Sequence, residues 1–162
     1  TTFMSNAVDI PEVGDKAPDF SGITQDGSTV SLSDFDGKKV VLYFYPRDNT
    51  PGCTKQACNL RDNYSDLGNH GISIVGVSDD PVNKHAGFAD KYDLPFPLIA
   101  DTERSVMVAY GAYGPKNMYG RIFQGTKRTT FLIDEQGVIV KVIKKPKTGD
   151  HAAEIIKGFG LS

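Results

Sequence analysis

Two cysteines carry the reactive potential of this 162-residue chain, Cys53 and Cys58. They stand in the stretch Tyr45-Pro46-Arg47-Asp48-Asn49-Thr50-Pro51-Gly52-Cys53-Thr54-Lys55-Gln56-Ala57-Cys58. Two thiols cannot build a disulfide framework or a four-cysteine zinc site. A bridge between them would close a very short loop and stabilise little through chain entropy. If they matter chemically, it is through reactivity: thiolate attack, oxidation or exchange. A free cysteine often serves as a small buried hydrophobe. A second thiol five residues on, after a Thr-Pro-Gly lead-in, favours a reactive pair.

The local pattern places both cysteines on a helix. Thr50 suits an N-cap and Pro51 the first helical position, so Cys53 falls third, in the first turn. Unpaired N–H groups and the positive end of the helix dipole at that turn favour a thiolate. Cys53, Ala57, Leu60, Tyr64 and Leu67 recur at spacings of four and three, one face of a helix that Gly68 ends. Cys58 falls on another face with Thr54, Lys55, Asp62 and Ser65, nearer solvent. On an ideal helix, residues five apart are turned by about 140° and lie about 8.6 Å apart at Cα. A disulfide needs about 7 Å or less. The two cysteines therefore cannot bridge while both are helical. Either the reduced helix is intact and unwinds on oxidation, or its first turn is not helical. Oxidation would switch such a two-state element.

The flanking elements must hold this helix. Residues 40–45 are six consecutive apolar or aromatic residues, the pattern of a strand covered on both faces. Residues 72–78 form a second β-branched run, so strand, helix and strand predict a right-handed βαβ unit with parallel strands. The reactive segment then follows the carboxyl end of a buried parallel strand, where open α/β sheets place their ligands. Two short strands are expected around a turn at Gly27. Helices are expected at 81–92, 103–110 and 150–159, and a short strand lies within 95–101. Residues 111–127, with three glycines and Pro115, read mainly as loop. Residues 129–134 and 138–143 read as a hairpin. The sum is one α/β domain around a mixed sheet.

Composition excludes several classes. Lys and Arg total 18 against 20 Asp and Glu, a net charge of −2 that lacks a nucleic-acid binder's basic footprint. No stretch approaches the roughly 20 apolar residues that span a bilayer. Residues 1–7 lack the basic and apolar regions of a secretory leader. A thioredoxin-type oxidoreductase needs Cys-x-x-Cys, and four residues intervene here. His70, His85 and His151 are scattered and read as surface or helix-end residues rather than metal ligands. Asp79-Asp80 reads as capping before Pro81. Lys144-Lys145-Pro146-Lys147 reads as a solvated loop. Tyr110, Tyr113, Tyr119 and Phe123 flank the glycine-rich stretch and could wall a pocket or pack in the core.

Pro46-x-x-x-Thr50-x-x-Cys53 resembles the active-site signature of the peroxiredoxins, and Cys58 five positions later resembles their Q subfamily, the bacterioferritin comigratory proteins. Gly14-Asp15-Lys16-Ala17-Pro18-Asp19-Phe20 is similar to the family's opening. Lys116-Asn117-Met118-Tyr119-Gly120, Arg128-Thr129-Thr130-Phe131-Leu132-Ile133-Asp134 and Gly149-Asp150-His151-Ala152-Ala153-Glu154 resemble its later segments. This chain has Gln56 where the subfamily often carries Glu.

The resemblance implies an α/β, thioredoxin-like fold: a mixed central sheet flanked by helices, one domain over residues 1–162 with 1–10 as a flexible lead-in. It implies reduction of hydrogen peroxide and organic hydroperoxides. Cys53 matches the peroxidatic cysteine and Cys58 the resolving one, with Thr50, Pro46 and Arg128 in support. Arg128 begins a strand whereas Cys53 follows one, so they meet only if strand 129–134 runs antiparallel to strand 38–45. The implied route is a sulfenic acid at Cys53, a Cys53–Cys58 disulfide, and reduction by thioredoxin or a similar dithiol. It calls for no cofactor, metal, nucleic acid or membrane. The expected state is a monomer in the cytoplasm, where dithiol donors are available. Two other readings share the segment: a redox-switched binding module, and a structural domain with inert thiols.

Overall fold

The structure, a computed structural model, describes residues 11–161. The expected lead-in at residues 1–10 lies outside them. At the centre is a five-stranded sheet built around β3 (Lys39–Phe44), β4 (Ile72–Ser78), β5 (Leu98–Ala100), β8 (Thr129–Ile133) and β9 (Ile139–Ile143). Its order is β5-β4-β3-β8-β9. β3, β4 and β5 run parallel, while β8 is antiparallel to both β3 and β9. The sheet is therefore mixed, as expected. The short strands β1 (Ser21–Ile23) and β2 (Thr29–Ser31) pair antiparallel around the Gly27 turn.

Strand β3 explains why the sheet needs cover on both faces. Val40, Leu42 and Phe44 point into one core with Val75, Val77, Phe131 and Ile133, closed by Met107 and Tyr110 around α4 (Ser105–Ala109). Val41, Tyr43 and Tyr45 alternate into the opposite core. There they meet α1 (Pro51–Asp62) through Cys53, Ala57 and Leu60, α3 (Val82–Tyr92) through Phe88, and α5 (His151–Gly158) through Ala152 and Ile155. Gly76 stands opposite Tyr43 in the β3–β4 pair. A Cβ there would lie 2.8 Å from Leu98 and 3.0 Å from the Tyr43 ring, so only glycine admits that ring. Tyr43 and Tyr45 stack at 5.4 Å behind the reactive helix.

Three expectations need correction. The helix expected to run through to Leu67 breaks at Asn63, and α2 (Tyr64–Asn69) restarts after it. Asn63 Nδ2 donates to the Asn59 carbonyl at 2.8 Å, a local bond that competes with the backbone ladder. With the helix interrupted, Tyr64 turns outward instead of joining the buried face. Residues 111–127, read mainly as loop, contain an antiparallel hairpin of β6 (Tyr113–Met118) and β7 (Arg121–Thr126). Its turn residues Tyr119 and Gly120 both have positive φ (54° and 81°), the backbone of a tight two-residue hairpin turn. Strand β7 is exposed from Arg121 through Gln124, which is why it carries little periodic signal. Finally, Pro81 precedes α3 rather than opening its first turn.

No helix among the described residues is long and apolar enough to cross a membrane.

Candidate active site

The loop at the carboxyl end of β3 delivers the reactive helix. Tyr45 extends the parallel ladder by one bond, N–H to the Val77 carbonyl at 3.1 Å. The chain then turns through Pro46–Thr50, with Asn49 at φ 64°. Thr50 is extended (φ −85°, ψ 154°) and stands at the N-cap position, with Pro51 at the start of α1. Cys53 is therefore the third residue of the helix. The first bond of α1 runs from Thr54 N–H to Thr50 C=O at 2.8 Å, so the Gly52 and Cys53 amides precede the ladder. The Thr50 hydroxyl does not cap the helix; it donates to the Arg47 carbonyl at 3.0 Å.

Both cysteines are free thiols on one unbroken helix. Of the two arrangements left open by the spacing, the structure has the intact helix. Cys53 is 1% exposed. Cys58 is partly exposed, as its helical face predicts.

Arg128 reaches Cys53 from the neighbouring strand. β3 and β8 pair antiparallel with Phe44 opposite Thr129, which sets Arg128 beside the end of β3. Its Nη2 donates to Cys53 Sγ at 3.2 Å, and its Nη1 donates to Gln56 Oε1 at 2.8 Å. The guanidinium also passes over Gly52, where a Cβ would sit 3.3 Å from Nη2. Fixed positive charge beside the sulfur stabilises a thiolate electrostatically. Among the described residues, the buried Tyr43 hydroxyl and Gln56 Nε2 have no hydrogen-bond partner. Burial, then the nearby charge of Cys53, push Tyr43 well above the usual phenol range, so its hydroxyl stays a donor.

Pro46 and Thr50 line an open groove of about 420 Å³ with Arg47, Tyr113, Lys116 and Phe123. Of the four aromatics considered from the sequence, Tyr113 and Phe123 wall this groove and Tyr110 is core. Tyr119 is 98% exposed at the hairpin turn.

A buried polar clamp, not legible in the sequence, fixes the loop. Asp48 Oδ1 accepts from the Tyr45 hydroxyl at 2.6 Å, and Oδ2 lies 2.6 Å from His85 Nδ1. His85 Nε2 donates to the Ile99 carbonyl at 2.9 Å. The Asp48 N–H donates to Asp80 Oδ2 at 2.7 Å, which also accepts from the Ser78 hydroxyl at 2.9 Å. His85 is thus fully buried, not a surface or helix-end residue, and Asp80 holds the loop rather than capping α3. Asp79 pairs with Arg104 instead. Ligand-type atoms of Asp48, Asp80 and His85 lie within 4.8 Å of one another. Both His85 nitrogens and both Asp48 oxygens already have partners, so the cluster reads as a clamp. Spacing could not have found it, because its members come from positions 45, 48, 78, 80, 85 and 99. Strand alternation was the one available hint, since it turns Tyr45 to the Cys53 side.

His151 is likewise buried, although it does begin a helix. Its Nδ1 lies 3.0 Å from Glu154 Oε1 and its Nε2 2.9 Å from the Thr130 hydroxyl. Burial holds it below the ordinary imidazole value, partly offset by Glu154.

Residues 13–142 match the model of the AhpC/TSA family. The chain is 50% identical over 145 residues to a bcp protein of Coxiella burnetii, covering 90% of this chain and 96% of that one. It is 43% identical over 146 residues to peroxiredoxin Bcp of Bacillus subtilis, covering 90% and 93%. Its fold superposes on the Xanthomonas campestris bacterioferritin comigratory protein with a TM-score of 0.81 and 31% identity, over 87% of this chain and 90% of that one. Those Xanthomonas structures concern alkyl peroxide reduction. The thioredoxin-like architecture, the matched residues and the relatives agree: this chain belongs to the AhpC/TSA family, among its Bcp/PrxQ peroxiredoxins.

Proposed function

We propose that this chain is a thiol peroxidase in which Cys53 is the nucleophile and Cys58 the resolving thiol. The observation that carries the reading is the Arg128 Nη2 contact to Cys53 Sγ at 3.2 Å in the first turn of α1. Cys53 thiolate attacks one peroxide oxygen, the O–O bond breaks, and the second oxygen leaves as water or alcohol after taking a proton. Cys53 becomes a sulfenic acid. Negative charge grows on the leaving oxygen. Arg128 and the Gly52 and Cys53 amides face that charge beside the buried sulfur. The Thr50 hydroxyl can accept or pass on the peroxide proton. Pro46 shields the sulfur and shapes the groove.

Cys58 thiol then condenses with the sulfenic acid, giving the disulfide and water. α1 must open for this, because five residues of helix hold the pair about 8.6 Å apart. A dithiol of the thioredoxin type returns both thiols by exchange. The substrate class is hydrogen peroxide and organic hydroperoxides; the alkyl peroxide activity of the Xanthomonas relative supports the organic half. The working form is a monomer in a reducing compartment such as the cytoplasm, and one domain carries the whole cycle.

A peroxide-consumption assay coupled to thioredoxin tests this. Wild type should turn over repeatedly. Stoichiometric reaction without thioredoxin-driven recycling would favour a peroxide-sensing role instead.

A further inference from the structure

Opening α1 has a cost, and one side chain concentrates it next to Cys58. Asn59 Nδ2 donates to the Gly149 carbonyl at 3.0 Å. Its Oδ1 accepts from the Ala152 N–H at 2.8 Å. Ala152 is the second residue of α5, where an N-cap side chain ordinarily binds. Asp150 occupies that cap position but makes no side-chain cap bond. Asn59 caps α5 in its place, from a different helix. The Lys55 side chain of α1 also lies over this loop: a Cβ at Gly149 would lie 2.9 Å from Lys55 Cε.

We propose that Asn59 is a positioning residue for disulfide formation, a two-bond latch that ties the Cys58 turn of α1 to the start of α5. The inference rests on the reading of Cys53 and Cys58 as the oxidised pair. Bringing their Cα atoms from about 8.6 Å to under about 7 Å unwinds the turn to which Asn59 belongs. Both amide bonds exist only while that turn is helical. They therefore stabilise the dithiol and sulfenic forms relative to the disulfide.

The latch sets a competition at Cys53. In one branch, Cys53–SOH and Cys58–SH form the S–S bond and release water. In the other, a second peroxide oxidises Cys53–SOH to the sulfinic acid and leaves as water or alcohol. A tighter latch lengthens the life of the sulfenic acid and sends more protein down the second branch at high peroxide.

The test compares wild type with Asn59→Ala and Asn59→Asp, the latter keeping the acceptor for Ala152 but not the donor for Gly149. Rapid quench with alkylation and peptide mass spectrometry follows each sulfur state. Reaction of the first peroxide with Cys53 should keep its wild-type rate in both variants. Disulfide formation should accelerate about fivefold or more in Asn59→Ala, with Asn59→Asp between. The sulfinic fraction at a given peroxide concentration should fall. In a dithiol–disulfide buffer, the equilibrium should move toward the protein disulfide by the same factor. Wild-type rates and equilibria in both variants overturn the latch alone. Absence of a Cys53–Cys58 disulfide in peroxide-treated wild type overturns the underlying reading and the latch with it. If Asn59→Ala fails to fold, Asn59→Asp against wild type decides by the same criteria.

Discussion

Arg128 donates to the sulfur of Cys53 at 3.2 Å across a gap of 75 residues in sequence. The same guanidinium donates to Gln56 at 2.8 Å, so one planar group is held at two points of the first two turns of α1. Arg128→Ala should slow the first reaction with peroxide by about 10²–10³, the usual effect of removing one preorganised donor. Arg128→Lys should recover only part, because a lysine cannot span both partners. Rates of thiol loss with the first equivalent of peroxide measure this. A wild-type rate in Arg128→Ala would remove the guanidinium from the mechanism.

Much of this geometry was legible in the sequence. The six-residue apolar run predicted a two-faced strand, and the structure buries Val40 to Tyr45 on alternating sides. The antiparallel requirement for Arg128 is met by the β3–β8 register. The hairpin at β6 and β7 was not legible, because β7 is exposed from Arg121 through Gln124 and so carries no alternating apolar pattern. The Asp48–His85 clamp was not legible either. A buried polar group is specified by partners that tertiary packing supplies, and 37 residues separate this pair. The break at Asn63, whose side chain bonds back to the Asn59 carbonyl, is announced by no helical periodicity.

The clamp makes a stability prediction. His85→Ala leaves one oxygen of the buried Asp48 carboxylate without its partner, and breaking such a buried pair costs about 3–5 kcal/mol. Tyr45→Phe removes one bond to Asp48 and should cost about 1 kcal/mol. Urea unfolding midpoints give both. Equal midpoints for His85→Ala and wild type would mean the loop is held by packing alone.

His151 predicts a pH dependence. Burial places its folded value below the ordinary 6.5, with Glu154 opposing and Arg128 adding to the shift. The unfolded chain then takes up the proton first. The contribution is whole above about pH 6.5 and is lost as pH falls through the folded value. Unfolding midpoints should drop for wild type between about pH 7.5 and about pH 5, and drop less for His151→Gln. An equal drop in the variant would assign the effect to other groups.

Cys58 should separate the two halves of the cycle. With peroxide no more than equimolar, so that the sulfenic acid meets no second peroxide, Cys58→Ser should still consume about one equivalent per chain, since the thiolate chemistry of the first step needs only Cys53. It should then stop, because thioredoxin has no intrachain disulfide to reduce. Continued thioredoxin-driven turnover by this variant would mean that the resolving thiol lies elsewhere.

The most direct test of the central claim is single-turnover peroxide consumption by Cys53→Ser. The expected result is no consumption above the protein-free rate, with Cys58 still titratable as a free thiol. Consumption at the wild-type rate would contradict the assignment of Cys53 as the peroxide-reducing nucleophile.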